Sequence, residues 1–289
     1  MTVRFSIFLV WLLHFLPLPI LAWFGNAVGM LFYALSKERR NVADVNLGLC
    51  FPAMGAAERK RLVRKHFRAF GRSFIERGIL WWASAERINR LVRVAGIEHF
   101  HAEHGKPLIL LTAHFVALDV GGCWLAQNTD VVTVYSKQKN PYFETFLYNK
   151  RRRFGNQLLY TRQDGMRPAI KAMRLGHPFY YFTDQDFNAK DALYIPFFGV
   201  PANTLNTVSR IAAMTGAKVV PCISRVLPDA AGYEVRFYPP WENYPSGDDA
   251  ADARRVNEFI EQRVLEMPEQ YFWLHKRFKT RPEGEAKFY

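Results

Sequence analysis

The sequence predicts an α/β protein: a mainly parallel, mixed sheet flanked by helices, with an N-terminal membrane-anchoring helix in front of it. Three observations carry that expectation. From Pro107 onward, short apolar runs alternate with amphipathic stretches of helical length, the pattern of strands joined by crossover helices. Residues 5–36 contain no Lys, Arg, Asp or Glu. A chain of 289 residues can bury one substantial core and still carry a terminal appendage. Residues 1–36 are therefore read as the anchor and 37–289 as the α/β domain facing the cytoplasm.

Residues 5–24 form an apolar run about long enough to cross hydrocarbon, although Pro17 and Pro19 break or kink a helix there. Gly25 separates this run from a second apolar helix over 28–35. The n-region is weak and no small-residue cleavage site precedes Lys37, so a retained anchor, spanning or half-embedded, is expected in place of a signal peptide. Lys37-Glu-Arg-Arg40 then puts the main domain on the cytoplasmic side by the positive-inside tendency. Ala56–Trp82 reads as one helix. Its first half is strongly basic, with Arg59, Lys60, Arg61, Arg64, Lys65 and Arg68, while Leu62, Phe67, Phe70, Phe74 and Ile75 supply an apolar face. The cations suit either solvent or an anionic bilayer. Ser84 caps a further short helix through Leu91. His99, His101 and His104 lie near Glu98 and Glu103, but their spacing matches no metal-ligand pattern, and solvent-exposed histidines are expected.

The alternation begins with a strand over 107–113 and a helix over 116–127. A strand over 131–135 leads to a helix over 141–153, and a short strand near Leu158 to a helix over 166–175. A strand over 178–182 is followed by a long loop and a helix over 204–215. Strands over 218–224 and 233–238 precede a helix over 250–266. No internal repeat and no glycine-rich phosphate loop of either standard kind is present. The net charge of +13 and pI near 9.7 point to anionic partners: nucleic acid, an anionic membrane, a phosphorylated lipid or an acidic protein. The 24 Phe, 13 Tyr and 7 Trp, mixed with cations, are usual at membrane interfaces. Cys50, Cys123 and Cys222 are scattered, which argues for a reducing compartment without a disulfide framework or structural zinc.

The chemistry centres on His114, placed where the first apolar strand turns into a helix, a position that presents polar groups to ligands. Asp119 lies five residues later. Within one helix that spacing rotates the two by roughly 140°, but a His in the turn and an Asp on the first helical turn can meet. A carboxylate then holds one ring nitrogen while the other acts as a general base. The plain alternative is a buried histidine and a helix-start charge. Lys150-Arg151-Arg152-Arg153 closes the helix after the second strand. If that strand lies beside the first, Arg151 and Arg153 reach the same cleft and suit phosphate; otherwise they serve the helix dipole. Thr183-Asp184-Gln-Asp186 ends another strand and opens onto that cleft, or else caps a turn. Phe197-Phe-Gly-Val-Pro201 reads as an apolar loop, lining an acyl slot or simply core. Tyr271-Phe-Trp-Leu-His275-Lys-Arg277-Phe-Lys-Thr-Arg281-Pro interleaves aromatics and cations and fits a membrane surface, a phosphate or nucleic acid.

Together these stretches resemble the late acyltransferases of lipid A biosynthesis, the lauroyl/myristoyl transferase family, over almost the whole chain. His114-x4-Asp119 is weakly specific and is shared with glycerolipid acyltransferases; Asp184-Gln-Asp-Phe187 and Trp273-Leu-His-Lys-Arg-Phe-Lys-Thr-Arg-Pro282 are far more specific. Many members carry Glu at the position of Asp119. The resemblance implies a glycerolipid-acyltransferase-like fold and transfer of a fatty acyl group from acyl-acyl carrier protein to a hydroxyl on an acyl chain of a Kdo-bearing lipid A precursor. His114 is then the base and Asp119 its orienting partner. Arg151, Arg153, Asp184, Asp186, His275 and Arg277 are substrate contacts, with Arg151 the first candidate to stabilise the oxyanion. No cofactor, metal or acyl-enzyme is implied. The expected partners are acyl carrier protein, the lipid A precursor and an anionic bacterial inner membrane, not nucleic acid. Two other readings stand beside this one. An acyltransferase for another glycolipid or glycerophospholipid is disfavoured by the C-terminal aromatic and cationic block. A non-catalytic basic adaptor leaves His114 without a purpose.

Overall fold

A computed structural model describes residues 2–189 and 192–289. Helix α1 (Thr2–Leu13) ends before the Pro17/Pro19 pair, and α2 (Leu18–Leu35) restarts with proline in its first turn, where a missing N–H removes no helical bond. Gly25 does not separate two helices as expected; α2 runs straight through it. The reason is packing. In α4 (Ala56–Trp82), Gly71 faces Gly25 and Gly29 of α2. A Cβ on Gly29 would stand 2.1 Å from the Phe67 carbonyl oxygen, and one on Gly71 2.3 Å from that of Gly25. These glycines let two helix backbones touch. Helix α3 (Lys37–Cys50) went unread because its buried apolar residues, Val42, Ala43, Leu47 and Cys50, are thinly spread among polar ones. Helix α5 (Ala85–Leu91) has the expected bounds, and the Ser84 hydroxyl accepts from the Arg87 N–H at 3.3 Å.

The remaining elements are β1 (Val92–Ala95), α6 (Ile97–His101), β2 (Leu108–Thr112), α7 (Leu118–Asn128), β3 (Val132–Tyr135), α8 (Pro141–Arg151), β4 (Leu158–Thr161), α9 (Arg167–Arg174), β5 (Phe179–Phe182), β6 (Leu193–Phe197), β7 (Val200–Thr204), α10 (Thr207–Thr215), β8 (Lys218–Val226), β9 (Tyr233–Phe237) and α11 (Asp249–Glu266). Seven strands form one sheet in the order β1-β9-β8-β2-β5-β3-β4, with every neighbouring pair parallel except β8–β9. The mainly parallel mixed sheet is as the sequence predicts. Strand β2 lies at its centre with all five residues buried, which is why it reads as a continuous apolar run. Its side chains alternate between two cores. Ile109 and Leu111 pack with α9, α10 and α11, and Leu108 and Leu110 with α5 and α7. Helix α4 joins both, through Phe67 on one side and Ile79 on the other.

Two expectations are corrected. Strand β3 does not lie beside β2, because β5 intervenes. The more apolar Phe179-Tyr-Tyr-Phe182 takes the central slot, while β3, with one of four residues buried, sits nearer the edge. The Phe197–Pro201 stretch is not a loop but the turn of the β6–β7 hairpin. Phe198 and Gly199 both have positive φ, 51° and 79°, as a two-residue hairpin turn requires. A Phe-Gly pair hides that signal, and the Phe198 N–H is held by Glu261 at 2.9 Å. Lys190 and Asp191, within the expected long loop, lie outside the described residues. Of the three histidines expected at the surface, His101, at the end of α6, and His104, beyond it, are exposed, while His99 is half-buried; among the described residues no group of His, Cys, Asp and Glu is arranged to hold a metal.

Candidate active site

The parallel register decides where the polar groups meet. Thr112 pairs with Phe182, so the residues just past the two strand ends, His114 and Asp184, come out side by side. Asp184 takes two hydrogen bonds from His114: from Nδ1 to Oδ1 at 2.7 Å and from the backbone N–H to Oδ2 at 2.9 Å. Continuing the β3–β5 register, Val132 with Phe179, brings Tyr135 level with Phe182. The polar groups therefore gather at the carboxyl ends of β2, β5 and β3, the usual ligand position in an open parallel sheet. The turn after β2 is fixed from the other side. The His114 carbonyl accepts from the Phe272 N–H at 2.9 Å, the Val116 N–H donates to the Gln270 carbonyl at 2.9 Å, and Phe115 bridges Tyr271.

Asp184 is buried. Burial raises its pKa, but the charge of His114, the two hydrogen bonds from His114 and the charge of Arg277 outweigh that and hold the carboxyl below the usual carboxylate range. An ionised carboxylate only accepts, so His114 must carry its proton on Nδ1. In the neutral ring Nε2 then keeps a lone pair, and among the described residues no group bonds it. The ring is partly exposed, 23% of its side chain, and packs against Phe182 with centroids 4.9 Å apart. A lone pair so held can accept a hydroxyl proton.

This arrangement corrects the expected pairing of His114 with Asp119. Asp119, on the first turn of α7, instead receives Arg77 Nε of α4 at 2.6 Å. Burial pushes its carboxyl up, yet the charges of Arg77, Arg151 and His114 bring it below the normal range. Asp119 thus stands within the electrostatic reach of His114 without holding the ring. Arg77 was invisible to sequence reasoning; it sits forty-two positions upstream in a helix whose cations read as a surface face.

The two arginines of α8 and its end part company. The Arg151 guanidinium lies over the Tyr135 ring at 5.3 Å, bears on the Asp119 carboxylate, and makes no hydrogen bond among the described residues. Tyr135 is itself fixed, donating to Glu144 at 2.7 Å. Arg153 turns away, donating to the Ala83 carbonyl at the end of α4 and stacking on Phe154 at 3.9 Å; burial pushes its pKa down. Arg153 is committed to the scaffold and not to the cleft.

The expected contacts Asp186, His275 and Arg277 also prove to be internal. Asp186 has no exposed surface and accepts from the Asn188 N–H at 2.8 Å and from the Thr280 N–H and hydroxyl at 2.8 and 2.9 Å. His275 Nε2 accepts from the Asp186 N–H at 3.1 Å, and burial lowers its pKa to about 4, so the ring is neutral. Arg277 is buried, donating to the Asn203 carbonyl at 2.9 Å and the Thr204 hydroxyl at 3.1 Å. These three residues latch the C-terminal segment onto β5 and the hairpin. Their effect on the site passes through the 270–272 segment and through the charge of Arg277 on Asp184.

The thiols do not enter the cleft chemistry. Burial pushes Cys50 and Cys222 far up and Cys123 to about 11, so none supplies a thiolate near neutral pH.

Residues 1–280 match the family described as bacterial lipid A biosynthesis acyltransferase. The chain is 33% identical to the lipid A biosynthesis lauroyltransferase of Escherichia coli K12, over 97% of this chain and 92% of that one. It is 32% identical to the myristoyltransferase of the same organism, over 94% of this chain and 83% of that one, and 29% identical to its palmitoleoyltransferase, over 99% and 93%.

Proposed function

The chain belongs to the bacterial lipid A biosynthesis acyltransferase family, and on that premise we propose that it moves a fatty acyl group from acyl-acyl carrier protein to a hydroxyl on an acyl chain of a Kdo-bearing lipid A precursor, with His114 as the general base. The observation that carries the reading is the doubly bonded His114–Asp184 pair, which leaves the second ring nitrogen unbonded on a partly exposed ring. The acceptor hydroxyl gives its proton to Nε2 as its oxygen attacks the thioester carbonyl. Asp184 stabilises the imidazolium so formed. The tetrahedral oxyanion collapses, the carbon–sulfur bond breaks, and the departing thiolate takes the proton back from Nε2. The products are an ester and a free carrier thiol, and no covalent enzyme intermediate enters.

Arg151 is the fixed cation for either the oxyanion or a head-group phosphate, since it has no bonded partner of its own among the described residues and Tyr135 holds its plane. Arg77 keeps Asp119 ionised and turned from the ring. An acidic carrier suits the net charge of +13. The exposed apolar residues of α1 and α2, with the cations that flank them, support residence at the cytoplasmic face of the inner membrane. The test is transfer by the purified chain in detergent from acyl-carrier thioester to a Kdo-bearing lipid A precursor, read by mass spectrometry beside glycerol phosphate and lysophosphatidate acceptors. Mass gain of one acyl residue on the lipid A precursor alone is expected. Gain on the glycerolipids alone would transfer the activity to that substrate class.

A further inference from the structure

Resting on the membrane residence proposed above, the packing of the N-terminal helices defines how the protein meets the bilayer. α1, α2 and the turn between them present an outward apolar face that includes Phe8, Leu12, Phe15, Trp23, Leu31 and Leu35, with Trp23 65% and Leu35 76% exposed. The opposite side of α2 is welded to α4 through the glycine seam described above, and α1 continues along the same helix, where a Cβ on Gly78 would stand 2.7 Å from the Val10 carbonyl oxygen. α4 is not an apolar helix. Arg61, Arg64, Lys65 and Arg68 recur at three- and four-residue spacing on it and are all exposed, a stripe beside the seam at Phe67 and Gly71.

The length of α2 allows it to span, but its attachment does not. If Leu35 stood at one hydrocarbon boundary, Gly29 would lie about 9 Å inside and Gly25 about 15 Å inside, near the middle of a core of about 30 Å. At those levels α4 places Arg68 beside Gly29 and Arg72 beside Gly25. Arg72 is paired with Glu76 at 2.6 Å and half-buried, but Arg68 and Arg64 are exposed and would face lipid, a setting that ionised side chains avoid. Turned flat, the same surface is consistent throughout. The apolar face sinks to the level of the acyl chains, and the stripe rests among the head groups. Arg64 over Tyr33 at 5.7 Å and Arg4 over Tyr142 at 4.7 Å put a cation on an amphipathic ring at either end. At the end of α2 an open groove of about 740 Å³ is lined by Tyr33, Lys37, Arg40, Asn41 and Lys60, with Glu38 and Asp44 tied up by Lys276 and Arg59.

We propose that α1 and α2 lie along the membrane surface as a fixed platform instead of crossing the bilayer, with the α4 stripe and the adjoining groove taking the phosphates of anionic phospholipid head groups. Because α1 approaches α8 where Arg4 meets Tyr142, and α8 ends at Arg151, the platform holds the cleft at head-group level, where the acyl hydroxyl of a lipid acceptor is presented.

The experiment uses the full chain on vesicles of phosphatidylethanolamine and phosphatidylglycerol, with Cys123→Ser as background since Cys50 and Cys222 are buried. Nitroxides at Leu12→Cys, Trp23→Cys and Leu31→Cys report depth by their relative accessibility to oxygen and to a nickel chelate. All three are expected at one shallow depth. A steep gradient from Leu31 to Trp23 overturns the proposal alone, while three water-exposed labels overturn it together with membrane residence. In the same vesicles Arg64→Gln/Arg68→Gln is expected to weaken binding about fivefold per cation removed. Binding equal to the parent removes the head-group contact.

Discussion

Asp184→Asn separates the two accounts of the histidine. Both carboxylate oxygens of Asp184 accept from His114, at 2.7 and 2.9 Å, and asparagine has one acceptor and one donor group. Whichever way the amide turns, one His114 N–H faces an NH₂. The ring can escape by moving its proton to Nε2, which removes the base. The variant also loses the charge that stabilises the imidazolium. For charges about 4 Å apart at an effective dielectric near 20, that attraction is about 4 kcal/mol, equivalent to about a thousandfold in rate. The expected result is a fall of roughly 10³ to 10⁴ in kcat at saturating acceptor, measured by single-turnover and steady-state transfer, with the folded fraction checked by near-ultraviolet dichroism. Asp119→Asn, by contrast, loses its ion pair with Arg77 but leaves the ring held, and should fall by about tenfold to a hundredfold. A folded Asp184→Asn enzyme within tenfold of the parent, beside an Asp119→Asn enzyme a thousandfold down, would return the ring to Asp119 and refute the reasoning.

The same geometry sets two further outcomes. Arg151→Lys keeps the charge but not the planar fork, so transfer at limiting acceptor should drop by tenfold or more, whereas Arg153→Ala should cost roughly 1.5–3 kcal/mol of stability through the lost Ala83 contact and leave turnover per folded molecule unchanged; melting curves and rates that show the opposite division would reverse the two assignments. Burial lowers His66 and His275 to about 4, against about 6.5 in an unfolded chain. Between those values the unfolded chain binds more protons, so stability must fall as pH drops through that window, by up to roughly 3 kcal/mol for each ring. His66→Gln, which keeps a donor for the Glu269 carbonyl now held by Nδ1 at 3.0 Å, should flatten the decline in Tm, and an unchanged slope would exclude His66 as a contributor.

The parts of this molecule that local pattern can encode were readable. Strand β2 announces itself by four buried apolar residues in a row, α4 by its amphipathic period, α5 by its Ser84 cap. His114 was legible because a strand end presents the next residues to the cleft. What local pattern cannot encode is the strand order. The insertion of β5 between β2 and β3 decides that Asp184, not Asp119, reaches the ring, and nothing near His114 states it. Likewise Arg151 and Arg153 look equivalent in sequence, and only the position of the α4 terminus draws one of them away. A motif of polar residues suggests contacts to substrate, but Asp186 and Arg277 satisfy buried carbonyls and amides of the fold itself.

The long reach of the ring's supports bears on how the enzyme is made. His114 leaves the ribosome 70 residues before Asp184, roughly 4–14 s at synthesis rates of about 5–20 residues per second, and the strip at Gln270 to Phe272 that completes its turn comes later still. The apolar helices emerge first, while the imidazole is still an ordinary side chain on an unfinished sheet. On the proposed mechanism, a nascent chain therefore lacks the fixed imidazole until both of its supports have been made. The turn that carries the ring is complete only when residues 270–272 have closed on it.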